Sequence, residues 1–304
     1  PPTHNINAQM MPQMIEMIEE ATDGRVTAEV RMGIAPPPAQ MDLVLDGAVD
    51  IAYVFHGYQP GRFVSYKLVE LPGVETTAEA ASVAYWNLFE NYLADLDEHR
   101  GVKVIGLHTH GPGQLHTNTP VNTLADMAGL KLRMPGGVAS EVGTALGTTG
   151  IQVPAPKVYE TLASNTADGV MMTIDSRQGF RLTEVAPNYY EMPGGFVRGS
   201  FAYIMNEDTF ADLPEDLQTA LMDEVFGEPI SRMSGAVWDE GDAFSVQLTE
   251  DTEGNTITRA SDEDIATFAP IVEAVTASVL EEVAAQGLDA QAALASFRAE
   301  LGVE

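Results

Sequence analysis

The sequence predicts an α/β protein built as two lobes, and three observations lead there. Apolar residues at helical spacing alternate with short strand-like runs through the first two thirds of the chain. The pattern is repeated from about Gly129, whose strand Pro135-Gly136-Gly137 halts, and nearly everything after Asp212 reads as helix. In order, Ile6, Met10, Met14, Met17, Ile18 and Ala21 mark a first helix that Thr22-Asp23-Gly24 stops. Residues 25–32 alternate polar and apolar like a strand, followed by a helix over 41–45, a turn at Asp46-Gly47 and a strand over 51–54. A helix over 77–98 carries Ala81, Ala84, Leu88, Tyr92 and Leu93 on one face and leads to a strand over 102–107. The second lobe repeats the unit, with strands over 129–134, 151–153 and 169–174 and helices over 140–146 and from Pro154-Ala155-Pro156 to 164. Such alternation predicts largely parallel sheets. A late strand over 201–205 precedes helices over 215–226, 231–248, 262–284 and 290–301. No Gly/Ser-rich or Pro-rich linker separates the lobes, so crossing strands should join them.

Composition narrows the function. The 304 residues hold 15 Lys and Arg against 45 Asp and Glu, a formal charge of −30. Phosphate neutralisation needs basic clusters, so a nucleic-acid partner is not expected. With 45% hydrophobic residues the chain is too apolar for a disordered acidic segment, and it is long enough to bury most of its unfolded surface. No run approaches the ~20 apolar residues of a membrane span. Pro1-Pro2-Thr3-His4 lacks the basic end and apolar centre of a signal peptide, so in an exported protein that signal would be gone. Zero cysteines excludes disulfides, thiolate metal sites and a Cys nucleophile. An acidic surface with only Lys67, Lys103, Lys131 and Lys157 for lysines suits a saline setting, where salt screens self-repulsion beyond ~8 Å or less.

Several site motifs fail. In Gly111-Pro112-Gly113-Gln114-Leu115-His116 the third glycine of a dinucleotide loop is His116, which blocks the close approach of a helix to pyrophosphate. There is no Walker A loop, and the surroundings of Ser140 do not form a nucleophile elbow. No catalytic residue and no cofactor are therefore expected. His108, His110 and His116 follow a strand end, where they could hold zinc in an enzyme, give a ligand a hydrogen bond, or simply be satisfied by local partners. Arg133 ends a strand just before Pro135, at the sheet edge where a guanidinium fork meets a ligand carboxylate or one of the 45 acids. Met171 and Met172 end the matching strand, as core or as pocket wall.

An ordered series of short motifs carries a resemblance. It includes Ala21-Thr22-Asp23-Gly24-Arg25-Val26, Asp46-Gly47-Ala48-Val49-Asp50-Ile51-Ala52, Pro60-Gly61-Arg62-Phe63 and Glu70-Leu71-Pro72-Gly73. It continues with residues 124–135, which end Leu132-Arg133-Met134-Pro135, then Val158-Tyr159-Glu160-Thr161-Leu162, Ala167-Asp168-Gly169, Met205-Asn206 and Leu213-Pro214. Over roughly residues 1–225 the chain resembles the DctP family, the periplasmic solute-binding proteins of tripartite ATP-independent periplasmic (TRAP) transporters.

The resemblance implies a periplasmic-binding-protein-like clamp with a mixed sheet in each lobe and a long C-terminal helix, around 215–248, spanning both. The first lobe would take residues 1–109 with about 200–240, the second 110–199 with about 241–304, hinged near 108–111 and 198–201. A small organic acid would bind between them and pass to the small and large permease subunits, from a monomer in the periplasm. In that family the Arg of Leu-Arg-x-Pro holds the carboxylate, which implies Arg133. Polar anchors of the sialic-acid binders fall on Gly113, Met172 and Phe55 here. An anchor of Arg133 with His108 and His110, walled by Phe55, Met171, Met172 and Phe201, suits a monocarboxylate with an apolar or aromatic body. Relatives also place a strand ahead of the first helix, so a trimmed N-terminus and a gap in the first sheet are expected.

Overall fold

The computed structural model describes residues 1–303. A π turn at Ile6–Met10 runs into α1, Met11–Ala21, which buries Met11, Met14 and Ile18. The strand expected over 25–32 does not form: these residues join no sheet, and Val30, Met32 and Ile34 are exposed. Alternation alone gives a strand only when a neighbour completes the backbone ladder. Here an apolar slot lined by Met14, Ile18, Val30 and Ile51 lies between that segment and the first sheet.

Next along the chain come α2 (Gln40–Leu45), β1 (Ile51–Phe55), α3 (Ala78–Leu88) and β2 (Val102–Thr109). Thr77 caps α3 by accepting from the Ala80 amide, and after Leu88 the helix loosens into π and 3-10 turns that end at Leu96. The second-lobe run is β3 (Gln114–Thr117), β4 (Lys131–Met134), α4 (Val138–Ala145), β5 (Thr149–Gln152), α5 (Val158–Ala163), β6 (Gly169–Met172), α6 (Ser176–Gly179) and β7 (Asn188–Glu191). The chain then returns through β8 (Ser200–Asn206), α7 (Glu207–Ala211), α8 (Glu215–Glu224), α9 (Glu228–Asp251), β9 (Thr256–Arg259), α10 (Asp262–Ala284) and α11 (Ala290–Leu301).

Two sheets result. The first has the order β1-β8-β2 and is antiparallel throughout, against the expectation of largely parallel pairing. Its central strand, β8, comes from much later in the chain and enters between β1 and β2, which the α3 segment connects, so it pairs antiparallel with both. The second has the order β5-β4-β6-β3-β7-β9 and is mixed, with β3 antiparallel to both neighbours and the β4–β5, β4–β6 and β7–β9 pairs parallel. The short strands β3, β7 and β9 carry too few alternating residues to announce themselves in the sequence.

The spanning helix is α9 rather than one rod over 215–248. Gly227, at φ 81° and ψ −128°, separates α8 from α9, a backbone state that a side chain would strain. At 24 residues α9 is roughly 36 Å long. It lies on β2 and α3 near its start and reaches α6 and β9 farther on. Ser231 on its second turn accepts from the Leu107 amide at 3.0 Å, tying the helix to β2. The last helix, α11, packs against α3.

Candidate functional site

Arg133 ends β4 and is 1% exposed. Its Nε donates to the Val153 carbonyl at 2.9 Å and its Nη2 to the Tyr58 hydroxyl at 3.4 Å. Among the described residues no carboxylate pairs with it, so the ion pair with one of the chain's own acids is not formed. Burial pulls its pKa below the usual arginine value, with Tyr58 opposing. A buried guanidinium fork with no acidic partner has the chemistry to receive a carboxylate.

Tyr58 was not visible as a site residue in the sequence. It follows β1, and its hydroxyl accepts from the Ala155 amide at 2.7 Å as well as from Arg133. With both lone pairs engaged, its own proton is free to donate toward an anion on Arg133. The approach requires glycine, because a Cβ on Gly136 would sit 2.2 Å from the Gly57 carbonyl. The Pro-Gly-Gly signal marked a strand end; that it also marks a close crossing depends on where residues 57 and 58 arrive.

From Tyr58 an aromatic wall extends inward. Phe55 and Phe201 are register partners in β1 and β8, with ring centroids 5.0 Å apart, and Tyr58 meets Phe55 edge-on at 4.8 Å. Tyr53, Trp238 of α9 and His110 each contact Phe201, at 5.4, 6.0 and 5.6 Å. Adjacency in the sheet, not in the chain, brings these rings together. Arg133, His110, Phe55, Phe201, Met171 and Met172 all line one cavity of about 870 Å³, which runs on into the slot beside the first sheet. Met171 also packs into the main core, and Met172 against the cluster containing Phe180.

The three histidines do not form one shared site. His108 is fully buried behind Phe201, stacked on it at 5.1 Å, and is absent from the cavity lining. Its Nδ1 accepts from the Trp238 indole at 3.2 Å. His116 lies in β3 of the other sheet, with Nε2 against the Met172 carbonyl at 3.1 Å and Nδ1 3.4 Å from Arg177. The crossing between sheets carries His116 away, while His108 and His110 both pack on Phe201 and Trp238, and among the described residues no group of three or more His, Cys, Asp or Glu is placed to hold a metal. The zinc-enzyme alternative thus loses its site.

Other unforeseen polar residues knit the lobes at the crossings. Gly113 and Val197 form an isolated bridge, with the Gly113 amide 2.7 Å from the Val197 carbonyl. Arg198, 1% exposed, donates to the carbonyls of His110, Val74 and Thr76 at 2.8–2.9 Å. Glu70 accepts from Ser200 at 2.6 Å and from the first amide of α4, Val138, at 3.0 Å. Burial raises the Glu70 pKa to about 7 despite those bonds.

Residues 1–282 match the family described as DctP, bacterial extracellular solute-binding protein, family 7. The chain belongs to the DctP family. Solved structures similar to this DctP-family chain include a TRAP periplasmic solute-binding protein from Bordetella bronchiseptica with bound (R)- and (S)-mandelate. It is 37% identical, with a TM-score of 0.95 and coverage of 99% of this chain and 96% of that one. Another, from Rhodoferax ferrireducens with copurified benzoate, is 28% identical with a TM-score of 0.92, covering 99% and 95%. A protein of Comamonas testosteroni named outer membrane transporter protein TsaT is 25% identical over 302 residues, 98% of this chain and 88% of its own length. Two sheets, a cleft between them and a spanning helix are thus shared with two-lobed solute receptors of TRAP transporters. Among the described residues no helix is long and apolar enough to cross a membrane.

Proposed function

We propose that this chain is the periplasmic receptor of a TRAP transporter for aromatic monocarboxylates, and not an enzyme. The observation that carries the reading is the unpaired Arg133 fork, buried beside Tyr58 at one end of an aromatic wall. The guanidinium receives the carboxylate, Tyr58 adds a hydrogen bond from the opposite lobe, and Phe55 and Phe201 receive the ring. The mandelate and benzoate bound by two relatives are acids of this class. The lobes are residues 1–109 with about 200–240 and 110–199 with about 241–304. They close because the ligand touches both only when they are together, so differential affinity shifts the population to the closed form. The closed monomer then docks on the permease subunits.

Thermal-shift titration with benzoate and mandelate in ~0.5 M salt tests the reading, since a ligand at 100 times its Kd adds about 2.7 kcal/mol of stability. A rise in Tm for the natural protein, absent in Arg133→Ala, is the expected result. Equal response of the two proteins, or none from any aromatic acid, refutes it.

A further inference from the structure

A buried chain of hydrogen bonds runs through the first lobe to the place where it meets α4, and none of its residues lines the cavity. It starts at Tyr66, whose hydroxyl lies 2.9 Å from His99 Nδ1. His99 Nε2 faces His56 Nε2 at 3.0 Å, and His56 Nδ1 lies 3.1 Å from Ser200 Oγ and 3.3 Å from the Tyr85 hydroxyl. Ser200 Oγ is 2.6 Å from Glu70 Oε1, while Glu70 Oε2 accepts the Val138 amide that opens α4.

Counting protons leaves this chain two arrangements. Burial keeps both rings neutral, His99 at about 3 and His56 well below 6.5, so the two facing Nε2 atoms share a single proton. With Glu70 ionised, Ser200 donates to it, His56 Nδ1–H donates to Ser200, His99 Nε2–H to His56, and Tyr66 to His99 Nδ1. With Glu70 protonated, its proton sits on Oε1, because Oε2 already accepts the amide, and every donor reverses. Each of the four bonds keeps its hydrogen and passes it to the other end, and one proton from solvent restores the Tyr66 hydroxyl. Any other set leaves two lone pairs or two protons facing each other in one of these bonds.

The charges around the chain act mainly at Glu70. Lys67, in the same 3-10 turn, Ser65–Glu70, favours the carboxylate, but Glu141 of α4 and Glu282 of α10 hold its ammonium at 2.9 and 2.6 Å. β8 presents the Ser200 hydroxyl, and α3 presents Tyr85, whose phenol burial keeps protonated. Burial, with Glu98 adding to it, does the same for Tyr66. Beyond burial, His108 beside His56 and Arg62 beside His99 further disfavour an imidazolium. At Glu70 burial outweighs the bonds from Ser200 and Val138 and raises the pKa to about 7.

We propose that this chain is a pH-operated tautomer switch, in which ionisation of Glu70 at the lobe junction sets which ring nitrogen carries the proton in both His56 and His99. The α4 amide, just beyond the strand that carries Arg133, has a charged acceptor only in the ionised form.

Nitrogen NMR of protein labelled in the histidine rings, titrated without ligand from about pH 8.5 to about 5.5, tests the switch. The two rings are assigned from the spectra of His56→Gln and His99→Gln. On acidification His56 Nδ1 should move from the range of a protonated ring nitrogen to that of a bare one while its Nε2 moves the opposite way, and His99 should do the reverse. The Val138 amide proton should move upfield with the same midpoint, about 7. In Glu70→Gln the side-chain carbonyl can accept from Val138 while the amide nitrogen donates to Ser200, so the tautomers of the acid form should persist at every pH. Ser200→Ala removes one hydroxyl from the chain and should abolish the switch while the Val138 amide still titrates. Tautomers that stay fixed in the natural protein, rings that become imidazolium over this range, or a switch that survives Glu70→Gln or Ser200→Ala overturn the proposal. If one of these two variants does not fold, the other decides it together with the natural titration.

Discussion

At Arg133 the protein places a cation where its own chain supplies only a carbonyl and a phenol. Burying such a group without a counterion is unfavourable, and under the proposed function the carboxylate of the ligand would supply one. Tyr58 matters by its oxygen, which holds the Ala155 amide and Arg133 together across the lobes. Tyr58→Phe keeps the ring on Phe55 and removes that oxygen. It should weaken aromatic-acid binding about 5- to 30-fold, a loss of ~1–2 kcal/mol. Titration calorimetry with the acid that binds the natural protein checks this, and an unchanged Kd would show that the phenol is outside the site. Arg133 could be singled out from the sequence because a strand end before Pro-Gly-Gly is a local pattern. Tyr58 could not, since its partners are 75 and 97 residues away.

Among the elements, α4 shows how a helix start can join two lobes. Gly137, at φ 61° and ψ −145°, leads into it, and Glu70 from the first lobe accepts the Val138 amide. A Cβ on Gly137 would stand 2.3 Å from Glu70 Oε2, so glycine is required both by conformation and by space. Gly137→Ala should destabilise the protein by roughly 1–3 kcal/mol, measured by urea unfolding. A midpoint equal to that of the natural protein would mean that the Glu70 contact yields freely. Element positions were readable wherever apolar spacing was long, as in α1, α3, α10 and α11. Residues 25–32 alternate as a strand should, yet pair with nothing. β3 and β9 were missed because four residues carry too little period to separate strand from loop.

For the whole molecule, the ionisable groups in the interior set the response to acid. Burial lowers all six histidines: His4, His99, His108 and His116 to about 3, His110 to about 4 and His56 well below 6.5. Each folds neutral, so its contribution is present above pH 6.5 and is lost as pH falls toward the folded value. Burial acts oppositely on four carboxyls, raising Glu70 to about 7 and holding Glu98, Asp175 and Asp242 above the usual carboxylate range. Their contribution is present at low pH and lost as pH rises through about 7. Six groups outnumber four, each limited to about 1.4 kcal/mol per pH unit, so stability should fall on acidification from pH 6.5 to about 4. Melting curves across that range test this; a flat or rising Tm would mean that the carboxyls dominate.

The −30 charge, the absence of cysteine, the two-lobed α/β order and the strand that carries Arg133 up to Pro135-Gly136-Gly137 are properties of composition and local pattern, so the sequence determined them alone. Which residues share the cleft was decided by tertiary structure. Phe55 meets Phe201 because β1 pairs with β8, and Tyr58 meets Arg133 because two loops cross at glycines. His116, close in sequence to His110, is carried away from it by the crossing between sheets, whereas His108 stays beside it on Phe201 but is packed behind that ring, outside the cavity lining. Strand pairing and loop crossing join residues far apart in the chain, and their energy depends on the partner that arrives, which no local spacing records.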